Sequence, residues 1–357
     1  MTGEDIKQVV DKEENDGVLD NCVFSRKDFV GSGSTLLNLA LTDNPRGSFR
    51  KGSIISFVGD SSAGKTFFSM TMFAEAMIHK HFKDHRIIYD DTEGGNSINL
   101  AKFFGQEVAD KVEEPSNGCS TTIEEFYFNL DDALNEGKPF IYVMDSMDGV
   151  SSVADNSKFE EQKKANRKGK ETAGSFGASK AKVNSEGLRV LSGKLKNSES
   201  IVFLISQTRD DLGFGFNTKT RSGGKSIKFY SNVEMWASVT ETIKKTVNGK
   251  PRIIGNNVKL KVTKNRYTGF KHEVTVPILP SYGIDDITSC VDYLISEKEW
   301  TGSGSKINAP DFDYKGTFKG LIKHIEDNGL ENELSIICGR VWKEIKDKCS
   351  SKRKGRY

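Results

Sequence analysis

Residues 53–78 read SIISFVGDSSAGKTFFSMTMFAEAMI. An apolar run ends at Gly59, a polar turn of the form GxxxxGK[ST] follows through Thr66, and an apolar stretch takes over directly after it. This is where a buried strand should turn into a helix. Backbone amides of Gly59, Asp60, Ser61, Ser62, Ala63 and Gly64, together with the start of the helix, form a nest of donors for phosphate groups. Lys65 supplies the cation for the β and γ oxygens, and the hydroxyl of Thr66 suits magnesium. A triphosphate with a divalent cation is therefore expected, although phosphate cradles serve many chemistries.

Outward from this turn the pattern alternates. RIIYDD (86–91), PFIYVMD (139–145) and SIVFLISQ (200–207) are apolar on both faces, as strands of a parallel sheet covered by helices must be. Helices are expected over 66–80, 97–104, 122–136 and 186–196, so the fold class is α/β. Later strands, VEMWASVTETIKK, NVKLKVTKNR and HEVTVPIL, extend the sheet with a hairpin turn at NGK (248–250). The segments DITSCVDYLI and TFKGLIKHIEDNG carry helical patterns separated by TGSGSKINAP, and form a small α-rich C-terminal domain. Between Ser151 and about Asn184 periodicity is lost, which reads as a long functional loop, and 208–224 reads as a second one, rich in glycine.

Composition narrows the classes. With 36% hydrophobic residues the chain is an ordinary globular protein; its start, MTGEDIKQVVDKEENDG, lacks a signal-peptide core, and no run is long enough to span a membrane, so a cytoplasmic protein is expected. The scattered cysteines Cys22, Cys119, Cys290, Cys338 and Cys349 form no CxxC pair and read as reduced thiols. His81 and His85 share the i, i+4 spacing of a metal pair but are read as a solvated helix end.

Further residues complete the chemistry. Asp145 closes an apolar strand where a phosphate site needs a carboxylate for the magnesium shell, and Ser146 is its neighbour. Glu93, in DTEGG, stands at the end of another strand as the residue that activates the attacking water, with Asp90 and Asp91 as competitors. Cations cluster at Lys163, Lys164, Arg167, Lys168 and Lys170, with Lys180 and Lys182 beyond, and Phe176 offers a flat surface among them. The second loop presents Phe214 and Phe216 among glycines, with Lys219 and Arg221 nearby. Cationic tracking of phosphates combined with exposed aromatics is what single-stranded nucleic acid requires.

Taken in order, these motifs resemble the RecA family of recombinases, including its phage-encoded members, from about residue 31 to 347. GSGSTLLNLAL is similar to the family's lead-in helix, DTEGG to its catalytic strand end, and YVMDS to its magnesium strand. LISQTRDDLGFGF followed by SGGKSIKFYSNVEMW resembles the family's succession of glutamine-ended strand, DNA loop and GG-x-x-[IL]-KFY segment, and KVTKNR its KVxKNK segment.

The resemblance implies a RecA-like phosphate-loop ATPase core over 31–280, after a leader or polymerisation segment over 1–30. A small domain would follow over 281–347 and a basic tail over 348–357. It implies an ATP- and Mg2+-dependent, DNA-stimulated ATPase that forms helical filaments on single-stranded DNA, pairs it with homologous duplex and exchanges strands in a bacterial or phage-infected cytoplasm. Single-strand-binding and mediator proteins are implied partners. Catalytic roles fall to Glu93, Lys65, the sensor Gln207, and Lys264 and Arg266 acting across a subunit boundary. DNA contacts fall to the two loops, at about 151–184 and 208–224, adding Arg209, Gly223 and Gly224. Lys228, Phe229 and Tyr230 belong at the interface. Ser97 and Leu100 stand where the family carries an aspartate and a tyrosine against the base, and Arg266 where it carries lysine. A ring helicase on the same fold, or a non-catalytic recombination mediator, are the alternative readings.

Overall fold

A computed structural model describes residues 24–95, 98–169, 178–210, 219–221, 224–351 and 353. Strand β1 (Phe29–Val30) pairs with β2 (Phe49–Arg50) around helix α1 (Thr35–Thr42), which Ser34 caps by accepting from the Leu37 amide. There follow β3 (Ser53–Gly59), α2 (Lys65–Ile78), β4 (Arg86–Asp91), α3 (Leu100–Phe104), α4 (Gln106–Lys111), β5 (Val112–Glu113), α5 (Ile123–Asn135) and β6 (Phe140–Asp145). Next come α6 (Val153–Asn166), α7 (Ala178–Asn197), β7 (Ile201–Asp210), β8 (Lys219–Arg221), α8 (Lys225–Tyr230), β9 (Val233–Val247), β10 (Lys250–Asn265), β11 (Glu273–Leu279) and β12 (Gly283–Ile284).

The large sheet runs in the order β12-β11-β10-β9-β3-β7-β6-β4-β5. From β9 to β5 all neighbours are parallel, and the pairings from β9 to β12 are antiparallel. The sheet is therefore mostly parallel and flanked by helices, as its doubly apolar strands require.

Alternation along each strand divides the core. Ile55 and Phe57, Ile141 and Val143, and Ile201, Phe203 and Ile205 join α1, α2 and the C-terminal helices. Ile54, Tyr142 and Met144, and Val202 and Leu204, face the other way onto α5 and α7. Both side-chain sets are buried, so the strands show no polar alternation. Phe203 is the pivot of the first layer: its ring meets Phe49 at 5.3 Å and Phe57 at 5.8 Å, both edge to face.

After β12 the chain forms α9 (Asp286–Ser296), a three-stranded sheet of β13 (Thr301–Ser303), β14 (Lys306–Ala309) and β15 (Tyr314–Gly316), then α10 (Phe318–Asn328) and α11 (Glu331–Cys349). This region is helical, as expected, but TGSGSKINAP is a hairpin and not a bare connector. Gly302 lies so close to the Lys306 carbonyl that a Cβ there would collide with it, so glycine here serves pairing. Helix α11 was not foreseen. Leu334, Ile337 and Val341 join the same apolar cluster as Leu37 and Leu41 of α1.

Two further expectations are corrected. The stretch from Ser151 was read as loop, yet Val153–Asn166 is helix, started by Ser152 accepting from the Asp155 amide. No residue of α6 is buried; a helix wetted on every side has no apolar stripe for sequence reading to find. The next helix begins at Ala178, before the expected 186. The histidines are not a solvated helix end either: the His85 ring lies 4.8 Å from Phe82 and is buried, and enclosure lowers it to about 4. Among the described residues no group of three metal-ligating side chains occurs, Cys119, Cys290, Cys338 and Cys349 are free thiols, and no helix is long and apolar enough to cross a membrane.

A recess of about 560 Å3 lies among α1, the end of α2 and the start of α11, with Glu75 and Asp286 in its wall. Asp286 accepts from the Thr35 amide and hydroxyl, both at 2.7 Å, and so ties α9 to α1. Enclosure, aided by the charge of Asp286, pushes Glu75 up to about 7; enclosure, with Asp285 adding to it and the Thr35 hydrogen bonds opposing, lifts Asp286 to about 6.

Replacing Phe203 by Ala should cost about 3–5 kcal/mol, read as a lower urea midpoint with unchanged slope. Glu75 and Asp286 bind protons more tightly folded than unfolded, so their contribution is complete in acid and is lost as pH rises through about 6 and about 7. Melting temperature should accordingly fall from about pH 5 to about pH 8, and Glu75→Gln should flatten that slope.

Candidate nucleotide and DNA site

The phosphate turn leaves the end of β3, a strand buried over its whole length. Ser62 and Gly64 adopt left-handed conformations (φ 65° and 72°), which turn successive amides inward. At Gly64 a Cβ would come within 2.4 Å of Ile278 Cδ1, and at Gly59 within 2.8 Å of the Ala237 carbonyl. Both positions are closed to side chains because the neighbouring sheet presses against the turn.

Lys65 opens α2 and folds back over the turn, its Nζ donating to the carbonyls of Gly59 at 2.9 Å and Asp60 at 2.8 Å. Burial lowers its pKa, opposed by Asp145 and Glu93. The hydroxyl of Thr66 donates to Asp145 Oδ2 at 2.6 Å, and Tyr89 Oη donates to the same oxygen at 3.0 Å. Burial raises Asp145 while these two hydrogen bonds hold it down.

Opposite them, Glu93 Oε1 accepts from the hydroxyl of Ser146 and from Gln207 Nε2, the latter at 3.0 Å. The Gln207 amide donates to Asp148 at 2.7 Å, and the Thr208 hydroxyl donates to Asp60 in the phosphate turn.

Ser61, Ser62, Gly64, Lys65, Thr66, Glu93, Asp145, Ser146 and Gln207 thus line one cavity of about 370 Å3. The amide nest, the ammonium and the Thr66–Asp145 oxygen pair fit a nucleoside triphosphate with a divalent cation. Sequence order left Asp90, Asp91 and Glu93 in competition. Asp90 is buried on the other face of β4, accepting from Ser120 N at 2.8 Å, Ser120 Oγ at 2.7 Å and Tyr142 Oη at 2.6 Å. Of the three, only Glu93 lines the cavity.

One wall was missed. Phe103, Ile98, Val258, Ile278 and Pro280 make the apolar side of the cavity, and Phe103 meets Phe67 edge to face at 5.4 Å. The sequence signal of this wall is the Phe-Phe pair of AKFFG, at 103 and 104. Ser97 lies outside the described residues, and Leu100 packs against the core cluster.

Of the residues expected to contact DNA, Lys163, Lys164, Arg167 and Lys168 lie exposed at and just past the end of α6, where cations also suit the helix dipole. Lys182 is exposed, 4.0 Å from Glu186. Lys180 departs from expectation: its Nζ is buried and donates to the carbonyls of Met147 and, at 2.7 Å, Val150. Expected to end at Gln207, β7 continues to Asp210 and pairs antiparallel with β8, so the second loop stands on a hairpin stem. Arg221, expected to contact DNA, pairs with Glu234 at 2.5 Å. Gly224 begins α8. Lys170, Phe176, Phe214, Phe216, Gly223, the leader to residue 23 and most of the tail fall outside the described residues, as do the side chains of Arg209 and Lys219.

Lys264 and Arg266 do not line the cavity of their own chain. Lys264 Nζ donates to the carbonyls of Lys228 and, at 2.8 Å, Phe229; Arg266 Nη2 donates to Phe229 O at 2.9 Å. Burial and the neighbouring Arg266 lower Lys264 to about 8. Phe229 beside them is 66% exposed, its ring edge to face with Tyr230 at 5.1 Å.

A phosphate turn between a central parallel strand and its helix, answered by a carboxylate two strands away, defines a phosphate-loop nucleotide-binding core with a RecA-type sheet. The family model for the RecA N-terminal domain matches residues 18–285. Protein RecA of Lactobacillus delbrueckii subsp. bulgaricus is 29% identical over 265 residues, covering 74% of this chain and 72% of its own. That of Mycoplasma mycoides subsp. mycoides is 30% identical over 272 residues (74% and 69%), and that of Mycobacterium ulcerans 27% over 327 (89% and 83%). The chain belongs to the RecA family.

The carboxylates of Asp90, within β4, and of Glu93, just beyond it, should therefore separate experimentally. Asp90→Asn should cost about 1–3 kcal/mol of stability by setting an amide among hydroxyl and amide donors, with nucleotide turnover of the folded protein unchanged. Glu93→Gln should leave the melting temperature in place and lower turnover by roughly a hundredfold or more.

Proposed function

We propose that this chain is an ATP-dependent recombinase that polymerises on single-stranded DNA, aligns it with homologous duplex and exchanges strands. Membership of the RecA family makes it a DNA recombination and repair protein. What supports the fuller reading is one contact, Gln207 Nε2 to Glu93 Oε1 at 3.0 Å. Gln207 lies on the strand from which the second loop departs, and Glu93 is the cavity carboxylate placed to orient a water. A group that senses the phosphate end of the cavity thereby sits on the same stem as the DNA loop.

In this reading Thr66 and Asp145 hold Mg2+, Lys65 and the amides of 59–66 hold the phosphates, and the base lies against Phe103 and Ile98. Bound Mg2+ supplies neutralisation of the charge on the transferring phosphoryl group. Glu93 orients and deprotonates water, and Gln207 leaves Glu93 for the phosphate when nucleotide enters. Lys264 and Arg266 act on the nucleotide of the adjoining protomer, with Lys228, Phe229 and Tyr230 at that boundary. The cations of α6 track phosphates and the second loop engages bases. ATP shifts the protein toward DNA binding only because it binds that state more tightly. The reaction takes place in the cytoplasm of a bacterium or of its phage-infected counterpart.

Electron microscopy with single-stranded DNA and a slowly hydrolysed ATP analogue should show helical filaments; closed rings or single particles would refute the reading. Lys65→Ala should abolish nucleotide-dependent DNA binding, measured by fluorescence anisotropy with and without ATP.

A further inference from the structure

Glu234 is a carboxylate only 1% exposed, on the second residue of β9. Each of its oxygens faces a different part of the chain. Oε2 receives Arg221 Nη1 at 2.5 Å, and Arg221 ends β8, the returning strand of the second loop's stem. Oε1 receives Lys228 Nζ at 2.9 Å from α8, the Thr263 hydroxyl at 2.7 Å from β10, and Trp236 Nε1 at 3.3 Å. Thr263 directly precedes Lys264. The circuit closes through α8, whose carbonyls at Lys228 and Phe229 receive Lys264 and Arg266. Burial works against the charged carboxylate, but Lys228, Arg221 and Thr263 outweigh it and hold Glu234 below the usual range.

We infer that Glu234 is a positioning residue that sets the cations Lys228, Lys264 and Arg266 and ties them through Arg221 to the second loop, so that DNA at that loop is relayed to the nucleotide of the adjoining protomer. The inference rests on the proposed function, in which Lys264 and Arg266 act on that nucleotide. The physical basis is the cost of an unpaired buried charge. Among the described residues β8 pairs only with β7, so a shift of that stem carries Arg221 with it. Oε2 then loses its cation. Oε1 keeps Lys228 of α8 and Thr263 of β10, so the carboxylate's charge then falls on the elements that hold Lys264 and Arg266. One buried carboxylate thus joins the stem of the second loop to α8 and the end of β10, the contiguous coupling that a relay between sites requires.

The test uses the full chain, a poly-dT oligonucleotide and ATP, comparing hydrolysis with and without DNA. Glu234→Gln keeps the shape and the acceptor for Thr263 but removes the charge. Its stimulation by DNA should fall about tenfold, while affinity for a fluorescent ATP analogue without DNA stays unchanged, since no cavity residue is touched. Arg221→Gln should lose stimulation to a similar degree with its affinity for the oligonucleotide retained, and the double variant should be no worse than either single one. Retained stimulation in Glu234→Gln overturns the inference. So do additive losses, or a fall in oligonucleotide affinity in Arg221→Gln, either of which assigns Arg221 to DNA directly. If Glu234→Gln does not fold, the Arg221 result decides alone. A wild-type protein that DNA does not stimulate refutes the proposed function itself, whereas a stimulated wild type with an insensitive Glu234→Gln refutes only the relay.

Discussion

The hydrogen bond from Thr66 to Asp145 is the constraint on which the site depends. It joins the first turn of α2 to the end of β6, two strands away from β3 across β7, and it exists only because those strands run parallel and end at one edge. The same edge carries Glu93 after β4, Ser146 after β6 and Gln207 on β7, so one register gathers residues separated by more than a hundred positions. Antiparallel order at any of these strands would send its terminal residue to the far side of the sheet. Packing that looks purely structural, such as Phe203 against Phe49 and Phe57, sets this register and through it the geometry of the cavity.

Charge in this molecule is used in two distinct ways. Lys163, Lys164, Arg167 and Lys168 are exposed at and just past the end of α6, Lys163 beside Glu160 at 3.3 Å, and a polyanion bound there would be held more weakly as salt rises. Lys180, Arg221, Lys264 and Arg266 are committed internally, to carbonyls or to Glu234. A committed cation fixes the position of a backbone segment and can be released by a competing anion. This places the stem of the second loop, α8 and the end of β10 in one electrostatic unit around a single buried carboxylate.

Much of the site was legible because phosphate chemistry demands contiguous residues. Gly59 to Thr66 must lie together, and strands buried on both faces announce themselves by continuous apolar runs. What misled sequence reading has equally physical causes. Helix α6 has no buried face, so it left no period to detect. The Gly and Ser of TGSGSKINAP, taken as a connector, permit a tight hairpin in which Gly302 meets the Lys306 backbone. Lys180 resembles any other loop lysine in composition, yet lies under the segment 147–150.

From sequence alone came the α/β class, the phosphate turn and its cation, the Asp145 carboxylate at the strand end beside that turn, and the recombinase family, each carried by residues adjacent in the chain or by strand ends in fixed order. Tertiary structure separated Asp90 from Glu93 in space, because Asp90 is buried within β4 under Tyr142 while Glu93, beyond the end of that strand, lines the cavity. It also brought Phe103 to the cavity wall and made Glu234 the shared partner of Arg221 and Lys228. Those outcomes depend on contacts between segments far apart in the chain, and local pattern carries no information about which distant group will meet a buried charge.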